Sequence, residues 1–174
     1  IHDRIDNGKG ETELVPPQLS SENSAYARFI LTRNLCRDER LILALALAVH
    51  LRPTVFDLFI ADKKKYQSSR LCKSPNGISL LPTAETALFL IAGDDLGKRI
   101  IAQAMFEPDH LFYKESVIDI GETTKGQSMY DGILSLSSTH RDLFITNHYR
   151  KPRFSPDFPA HLLTTKLEWS DMIL

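Results

Sequence analysis

The sequence GETTKGQS at residues 121–128 comes close to a phosphate-binding loop and is the first place to look for chemistry. A loop of the GxxxxGK[ST] type needs a lysine that reaches the outer phosphates and a helix directly after it. Here Gln127 takes the lysine position, and the following MYDGILSL has the pattern of a strand. We therefore predict a hairpin loop. The similar GDDLGK at residues 93–98 is one residue short and is predicted to join two helices.

Histidine and cysteine side chains are the other groups that could catalyse a reaction or hold a metal, and they are scattered. No histidines fall in an HxxxH or HExxH spacing, and the cysteines lack the spacing of a zinc site. Cys36 lies in a helical pattern with no identifiable base. We therefore predict no catalytic, metal-binding or cofactor-binding residue in this chain. Surface or half-buried positions are expected for His2, His50, His110, His140, His148 and His161.

Basic side chains gather in two places where aromatic residues accompany them. One cluster lies in a polar loop around Tyr66, and the other is formed by residues 150–153 beside Tyr149. This combination can bind the phosphate backbone of a nucleic acid. The chain as a whole, however, has 21 basic and 22 acidic residues, whereas nucleic-acid-binding modules are usually basic. The first cluster is a candidate patch for a partner or a nucleic acid, and its members are Lys63, Lys64, Lys65, Arg70 and Lys73.

Length and composition limit the remaining possibilities. With 174 residues the chain can form one ordinary domain or two very small ones. Its longest apolar run, residues 41–49, is well short of the roughly 20 residues that a membrane helix needs. The first residues lack the pattern of a secretory signal, and two cysteines are too few for a disulfide framework. We expect a cytoplasmic protein without a membrane partner.

Sequence patterns divide the chain into three parts. Residues 1–20 are rich in glycine, proline and acidic side chains, which is typical of a flexible arm. Residues 21–149 carry the apolar periodicity of a folded domain, and residues 150–174 begin as an extended, proline-rich linker. The chain starts at Ile1 and its last residues, LTTKLEWSDMIL, are strongly apolar, so we expect a fragment of a longer protein.

The first half of the domain is predicted to be helical. We expect Ser21 to cap a first helix, with Tyr26, Phe29 and Ile30 on one face. The run LILALALAV alternates with a period of two, but leucine and alanine are strong helix formers, so a buried second helix is predicted. Thr54 begins a capping-box pattern for a short third helix.

Two more helices are predicted in the middle of the domain, after a short strand near residues 78–81. Thr83 is expected to start one of them and Gly93 to end it in the left-handed conformation. Asp94 is expected to cap the next helix. On that helix the spacing predicts Leu96, Ile100, Ile101, Ala104 and Met105 facing inward, with Lys98, Arg99 and Gln103 facing out.

The pattern then changes to short, partly β-branched segments. ESVIDIG and YDGILSLS are predicted to form a hairpin around the polar loop, and Thr139 begins a capping-box pattern for a last short helix. Short helices followed by a two-stranded hairpin are the parts of a winged helix. We therefore predict an α+β, mostly helical fold, winged-helix-like with a small β-hairpin, although the same order also fits other small α+β domains.

Two stretches, LLPTAETALFLIAGDDL and KPRFSPDFPAHLLTTKLEWSDMIL, resemble the N-terminal region of a family of bacterial AAA-type ATPases. In that family a winged-helix-like domain precedes one AAA module, and a Leu-Thr-Thr then Trp-x-Asp segment stands at the junction. The resemblance covers roughly residues 38–174 and leaves out the arm before Ser21.

The resemblance implies an ATPase parent, hexameric and dependent on ATP and Mg, whose nucleotide site lies in the AAA module beyond this chain. No position here matches a Walker motif, so no ATPase residue is assigned to these 174 residues. The apolar ending would then pack on that module, through the candidate docking residues Leu167, Trp169, Met172 and Leu174.

Three functions are compatible with these patterns. The leading hypothesis is an accessory domain that helps an AAA motor recognise a protein substrate or adaptor, coupled through the proline-rich strap between Pro152 and Pro159. The alternative is a winged-helix nucleic-acid-binding module that uses the 63–65 basic loop. A third hypothesis is a small enzyme with a scattered active site, which only the general independence of fold and function supports.

Overall fold

The computed structural model describes residues 17–19, 23–59, 71–73 and 80–149, and the structural statements below concern these ranges. The fold is α+β and mostly helical, as predicted. Its helices are α1 Ala25–Thr32, α2 Arg37–Leu51, α3 Ala84–Ala92, α4 Leu96–Gln103, α5 Leu111–Lys114 and α6 Ser138–Thr146. Three 3₁₀ helices lie at Pro53–Phe59, Ala104–Phe106 and Met129–Asp131.

Two small antiparallel sheets accompany the helices. Strand β3, Ile118–Ile120, pairs with β4, Leu134–Leu136, which confirms the predicted hairpin. A second pair joins β1, Cys72–Lys73, to β2, Leu80–Leu81. The β2 strand was expected, whereas β1 lies in a stretch predicted to be loop, because its two residues carry no alternating pattern of their own.

Helices α1 and α2 form as their residue types predict. The Leu- and Ala-rich run belongs to α2, which buries Ile42, Leu43 and Ala46 on one side. The predicted cap of α1 was wrong: Ser24, not Ser21, is the cap, and its hydroxyl accepts a hydrogen bond from the Ala27 N–H at 3.1 Å. A serine directly before the first helical residue can accept a hydrogen bond from the free N–H groups of the first turn. A serine three residues earlier in the chain is too far from these groups to do so.

The segment after α2 differs from the short α-helix that was predicted. It is a 3₁₀ helix that begins at Pro53, so Thr54 lies inside it and does not cap it. Proline is well suited to the first position of a helix because it has no N–H to leave unbonded.

Helix α3 is capped by the predicted Thr83 and begins at Ala84. The Thr83 hydroxyl accepts a hydrogen bond from the Thr86 N–H at 3.1 Å, and the Thr86 hydroxyl accepts one from the Thr83 N–H at 3.0 Å. Gly93 ends the helix with a φ of +55°, although its ψ of −126° is not that of the left-handed helical region that was predicted. The next helix, α4, is capped by Asp95 rather than the predicted Asp94, since the Asp95 carboxylate reaches the Lys98 N–H at 3.0 Å.

The β3–β4 hairpin is attached to the start of α3 through backbone hydrogen bonds. The Leu134 N–H donates to the Pro82 carbonyl at 2.8 Å, and the Ala84 N–H donates to the Gly132 carbonyl at 3.2 Å. Gly132 is buried, and the carbonyl of Gly121 on the opposite arm of the hairpin occupies the space where a side chain at 132 would stand. The hairpin and α3 therefore share one tightly packed junction.

The predicted 121–128 loop does join the two arms of this hairpin. A 3₁₀ helix, Met129–Asp131, follows it before β4. In a phosphate-binding loop a longer helix follows, and its N-terminus faces the phosphate. This single 3₁₀ turn does not provide such a helix.

The hydrophobic core lies between α1, α2, α3 and the hairpin. Its large, fully buried apolar side chains come from α1, α2, α3, α5, the residue before β3, and β4, which ties these elements into one packing unit. These side chains are Ile30, Ile42, Leu43, Leu88, Phe112, Val117 and Leu134.

Helix α6 closes the described part of the domain. Ser137 caps it, so the predicted start at Thr139 was two residues late. The winged-helix likeness and the 21–149 domain boundaries stay predictions. Residues 17–19 are the described portion of the predicted 1–20 arm, and the proline-rich linker at 150–174 lies outside the described residues.

Candidate protein-interaction surface

Helix α4 turns its apolar side outward, which is the reverse of the prediction from its sequence. Leu96, Ile100 and Ile101 are 73%, 69% and 74% exposed. Ala104 is exposed as well, and of the residues predicted to face inward only Met105 is partly buried. The helix itself and its strong amphipathic character were predicted correctly, but the side that meets the core was not.

A buried carboxylate explains the orientation of α4. Glu85, in the first turn of α3, is only 2% exposed, and Arg99 forms an ion pair with it. A carboxylate removed from water is strongly destabilising unless a cation and hydrogen bonds compensate it. Arg99, which was predicted to face solvent, therefore points toward α3, and this fixes the rotation of α4 about its axis.

Two further contacts hold α4 in this orientation. Ala102 is almost fully buried on the same side as Arg99, where its small side chain lets the two helices approach closely. At the other end, the Asp95 carboxylate caps the helix. Together with the ion pair these contacts present the opposite side of α4 as a rigid surface.

The exposed side of α4 is a continuous stripe that we call the α4 outer surface. It consists of Leu96, Gly97, Ile100 and Ile101 of α4 and of Ala104 directly after the helix, all exposed and all without charge. Residues three to five positions apart lie along one side of a helix, so these five form two adjacent rows. Lys98 is exposed at the border of the stripe.

A cavity of about 260 Å³ lies beyond the C-terminal end of this stripe. Met105, one helical turn after Ile101, lines it together with Tyr113, Ile118 and Met129. Tyr113 and Met129 are themselves largely exposed. An apolar area of this kind, made of several large side chains, typically marks a site where another molecule binds.

The residues singled out from the sequence occupy other parts of the chain. Of the candidate basic patch only Lys73 is among the described residues, where it lies exposed on β1 opposite Leu80. Lys63, Lys64, Lys65 and Arg70 lie outside the described residues, as do the candidate docking residues Leu167, Trp169, Met172 and Leu174. Both assignments stay predictions.

Two of the histidines, His110 and His140, connect elements of the fold. The Nε2 of His110 lies 2.9 Å from a carboxylate oxygen of Glu39, while its Nδ1 accepts a hydrogen bond from the Phe112 N–H at 3.2 Å. The proton is therefore on Nε2, and the pair joins the start of α2 to the start of α5. His140 packs edge-on against Phe29, with ring centroids 5.6 Å apart, and its Nδ1 lies 3.1 Å from the Ser116 carbonyl.

Acidification should destabilise the fold through His140. Burial lowers the pKa of His140 below its ordinary value, against weaker opposing effects of the Ser116 carbonyl and Glu115. The unfolded chain, with a histidine pKa of about 6.5, then binds more protons than the folded one. The stabilisation from a neutral His140 is thus present above about pH 6.5 and is lost as the pH falls toward the lowered folded-state pKa.

Urea unfolding at several pH values would measure this effect. The unfolding free energy of the wild type should fall more steeply below about pH 6.5 than that of a His140→Gln variant. Parallel curves for the two proteins would contradict the assignment. The same unfolding curves can be compared between the wild type and a His50→Gln variant, because burial also lowers the pKa of His50.

The described residues contain no group of three histidine, cysteine or acidic side chains that could hold a metal ion. In the same ranges, no helix combines the length and the apolar character needed to cross a membrane. Cys36 and Cys72 are free thiols, and burial raises the pKa of the Cys36 thiol. ATP and Mg, expected for an AAA module, and the cytoplasmic location stay predictions.

No protein family model matches this chain, and comparison with curated proteins and with solved structures likewise found no match.

Proposed function

We propose that this domain is an accessory protein-interaction domain of an AAA-type ATPase, and that it recognises a protein substrate or adaptor through the α4 outer surface. The observation that carries the proposal is the outward apolar side of α4, with Leu96, Ile100 and Ile101 each about 70% exposed. The ATPase parent rests on the sequence resemblance alone. The interaction surface rests on the orientation of α4.

The way α4 is held supports binding rather than chance exposure. The Glu85–Arg99 ion pair and the buried Ala102 hold the helix from behind, so the backbone that carries the apolar side chains is already in place when a partner binds. Binding sites whose backbone is already positioned lose less conformational entropy on association.

The shape of the surface favours a helical or extended apolar segment as the partner. Leu96, Ile100 and Ala104 form one row at four-residue spacing, and Gly97 and Ile101 form the next. Gly97 and Ala104 leave room for a ridge of the partner to approach the α4 backbone. Lys98 at the border favours an acidic side chain in the partner.

Binding of an unfolded protein would test this proposal. Fluorescein-labelled casein, which exposes apolar segments, should bind the wild-type chain in an anisotropy titration. A triple variant with Leu96→Ser, Ile100→Ser and Ile101→Ser should bind about tenfold more weakly or worse. These side chains are exposed, so each replacement should change the unfolding free energy by only about 0.5 kcal/mol.

Ile145→Ser is the matched control, because Ile145 is an exposed apolar residue of similar size on α6, away from the stripe. It should leave casein binding unchanged. Equal binding by the wild type and the triple variant, or no binding by either, would refute recognition through α4. The ATPase parent is tested separately by reading the coding sequence after Leu174, where a phosphate loop is expected.

A further inference from the structure

The cavity beyond the C-terminal end of the α4 outer surface combines apolar walls with one exposed carboxylate. Met105 and Met129 form part of its walls, together with Ile118 and Ile120 of β3. Asp119, between these two isoleucines, also lines the cavity and is exposed. We call it the α4-end cavity. An apolar side chain that enters it comes close to a negative charge.

The size and the lining of the α4-end cavity suit a single large apolar side chain. Its volume of about 260 Å³ is below the range of roughly 300–1,000 Å³ that is typical of pockets for drug-sized molecules. Methionine side chains are flexible and polarisable, so Met105 and Met129 can adapt to an aromatic or a branched aliphatic group. A side chain that fills such a pocket commonly contributes a large part of the binding free energy of an interface.

The chain segments that form this cavity carry an excess of negative charge. Glu107 and Asp131 are exposed, and each lies two positions along the chain from a methionine of the cavity wall. Over residues 105–131 the acidic residues are Glu107, Asp109, Glu115, Asp119, Glu122 and Asp131, whereas the basic ones are Lys114 and Lys125. A partner with a basic side chain beside its apolar anchor complements this charge, and a partner with an acidic one is repelled.

Tyr113 gives a second reason to expect a cation. It lines the cavity and is 64% exposed, so its ring is accessible to a partner. A guanidinium or ammonium group above the face of an aromatic ring is attracted to it. Because the Asp119 carboxylate lines the same cavity, the ring and the carboxylate can act on one cation together.

We propose that the α4-end cavity binds a large apolar side chain of the protein partner, and that an arginine or lysine directly beside this side chain contacts Asp119 and Tyr113. The inference rests on the proposed function, because Met105 follows Ile101 by one helical turn and the cavity therefore continues the α4 outer surface. It adds the class of partner, which is an apolar segment that ends in an apolar anchor with a basic neighbour.

Three fluorescein-labelled peptides would test this inference in anisotropy titrations with the full chain. Each has the same amphipathic host, with leucines at spacings of three and four residues, followed by Arg-Phe-Arg, Glu-Phe-Glu or Arg-Ser-Arg. The wild-type chain should bind the Arg-Phe-Arg peptide at least about tenfold more tightly than either of the others. The Arg-Ser-Arg peptide measures the effect of the charges without an anchor.

Substitutions in the chain locate the interaction. Asp119→Lys should remove most of the preference for Arg-Phe-Arg over Glu-Phe-Glu, and Met129→Ser should weaken binding of both phenylalanine peptides by about fivefold. Asp94→Lys is the matched control, because it makes the same charge change at an exposed position before the other end of α4. It should leave the preference at its wild-type value. All three positions are exposed, so the variants should keep the wild-type circular dichroism spectrum.

The results separate this inference from the proposed function. Casein binding that is lost in the α4 triple variant, together with equal binding of the Arg-Phe-Arg and Glu-Phe-Glu peptides, would overturn the cavity assignment and leave the role of α4 standing. A preference that persists in Asp119→Lys, or no binding of any peptide at about 1 mM chain, would also overturn it. Equal casein binding by the wild type and the triple variant, combined with a peptide preference that Asp119→Lys removes, would instead refute recognition through α4 alone.

Discussion

Replacing Arg99 by methionine should lower the unfolding free energy by about 3–5 kcal/mol, because it leaves the Glu85 carboxylate buried without its guanidinium. Methionine keeps most of the aliphatic stem, so the loss reports mainly on the charge. A small domain has only about 5–15 kcal/mol of stability in total, so the variant should be close to unfolding at room temperature. Urea unfolding followed by circular dichroism would measure the change.

Two comparisons make this measurement specific. Lys98→Met, on the exposed side of the same helix, should change the unfolding free energy by no more than about 0.5 kcal/mol. A double variant with Glu85→Leu and Arg99→Met should regain most of the lost stability, since buried ion pairs can often be replaced by apolar groups. A loss below about 1 kcal/mol for Arg99→Met would contradict the role of the ion pair in orienting α4.

Gly132→Ala should destabilise the fold by about 2–3 kcal/mol, although it adds a single methyl group. The added Cβ would overlap the Gly121 carbonyl and come within 2.7 Å of the Ile120 Cγ2. Backbone atoms cannot move aside as the end of a side chain can, so the two arms of the hairpin must separate. The Gly132 carbonyl also accepts the Ala84 N–H, so the start of α3 is disturbed as well.

Gly97→Ala is the control for this prediction. Its new Cβ would meet only Oδ1 of the Asp95 side chain, at 3.3 Å, and no backbone atom, and alanine is the better helix former. Its unfolding free energy should change by less than about 1 kcal/mol. Thermal unfolding of both variants would decide the matter, and a Gly132→Ala protein as stable as the wild type would show that the hairpin junction is not as tight as described.

Much of the fold follows from local sequence signals. Leucine and alanine predict α2 despite the period of two, and Thr83 predicts the start of α3. The errors in caps are small shifts between neighbouring polar residues, as with Asp95 in place of Asp94. Which of two adjacent carboxylates bonds the first turn depends on backbone angles that residue type does not determine.

The orientation of α4 could not be predicted in this way. Apolar periodicity indicates that a helix has an apolar side and a polar side, but it does not determine which of them packs against the core. That choice depends on Glu85, which lies 14 positions before Arg99 on another helix. Only the packing of α3 shows that this carboxylate is buried and needs a cation.

Strand β1 was missed for a similar reason. Cys72 and Lys73 become a strand only because Leu80 and Leu81 pair with them.

The α4 outer surface consists largely of residues that the sequence pattern had assigned to the core. The basic patch and the apolar C-terminal residues stay predictions, and all of these residues apart from Lys73 lie outside the described ranges.

Because an ion pair and one alanine hold α4 from behind, substitutions on the two sides of this helix should have different consequences. Substitutions at Leu96, Ile100 or Ile101 should hardly affect folding and, under the proposed function, should change what the surface binds. Substitutions at Arg99 or Glu85 affect folding first. Under the proposed function, related chains could thus differ in their binding partners through changes on one side of α4, while Arg99 and Glu85 on the other side stay the same.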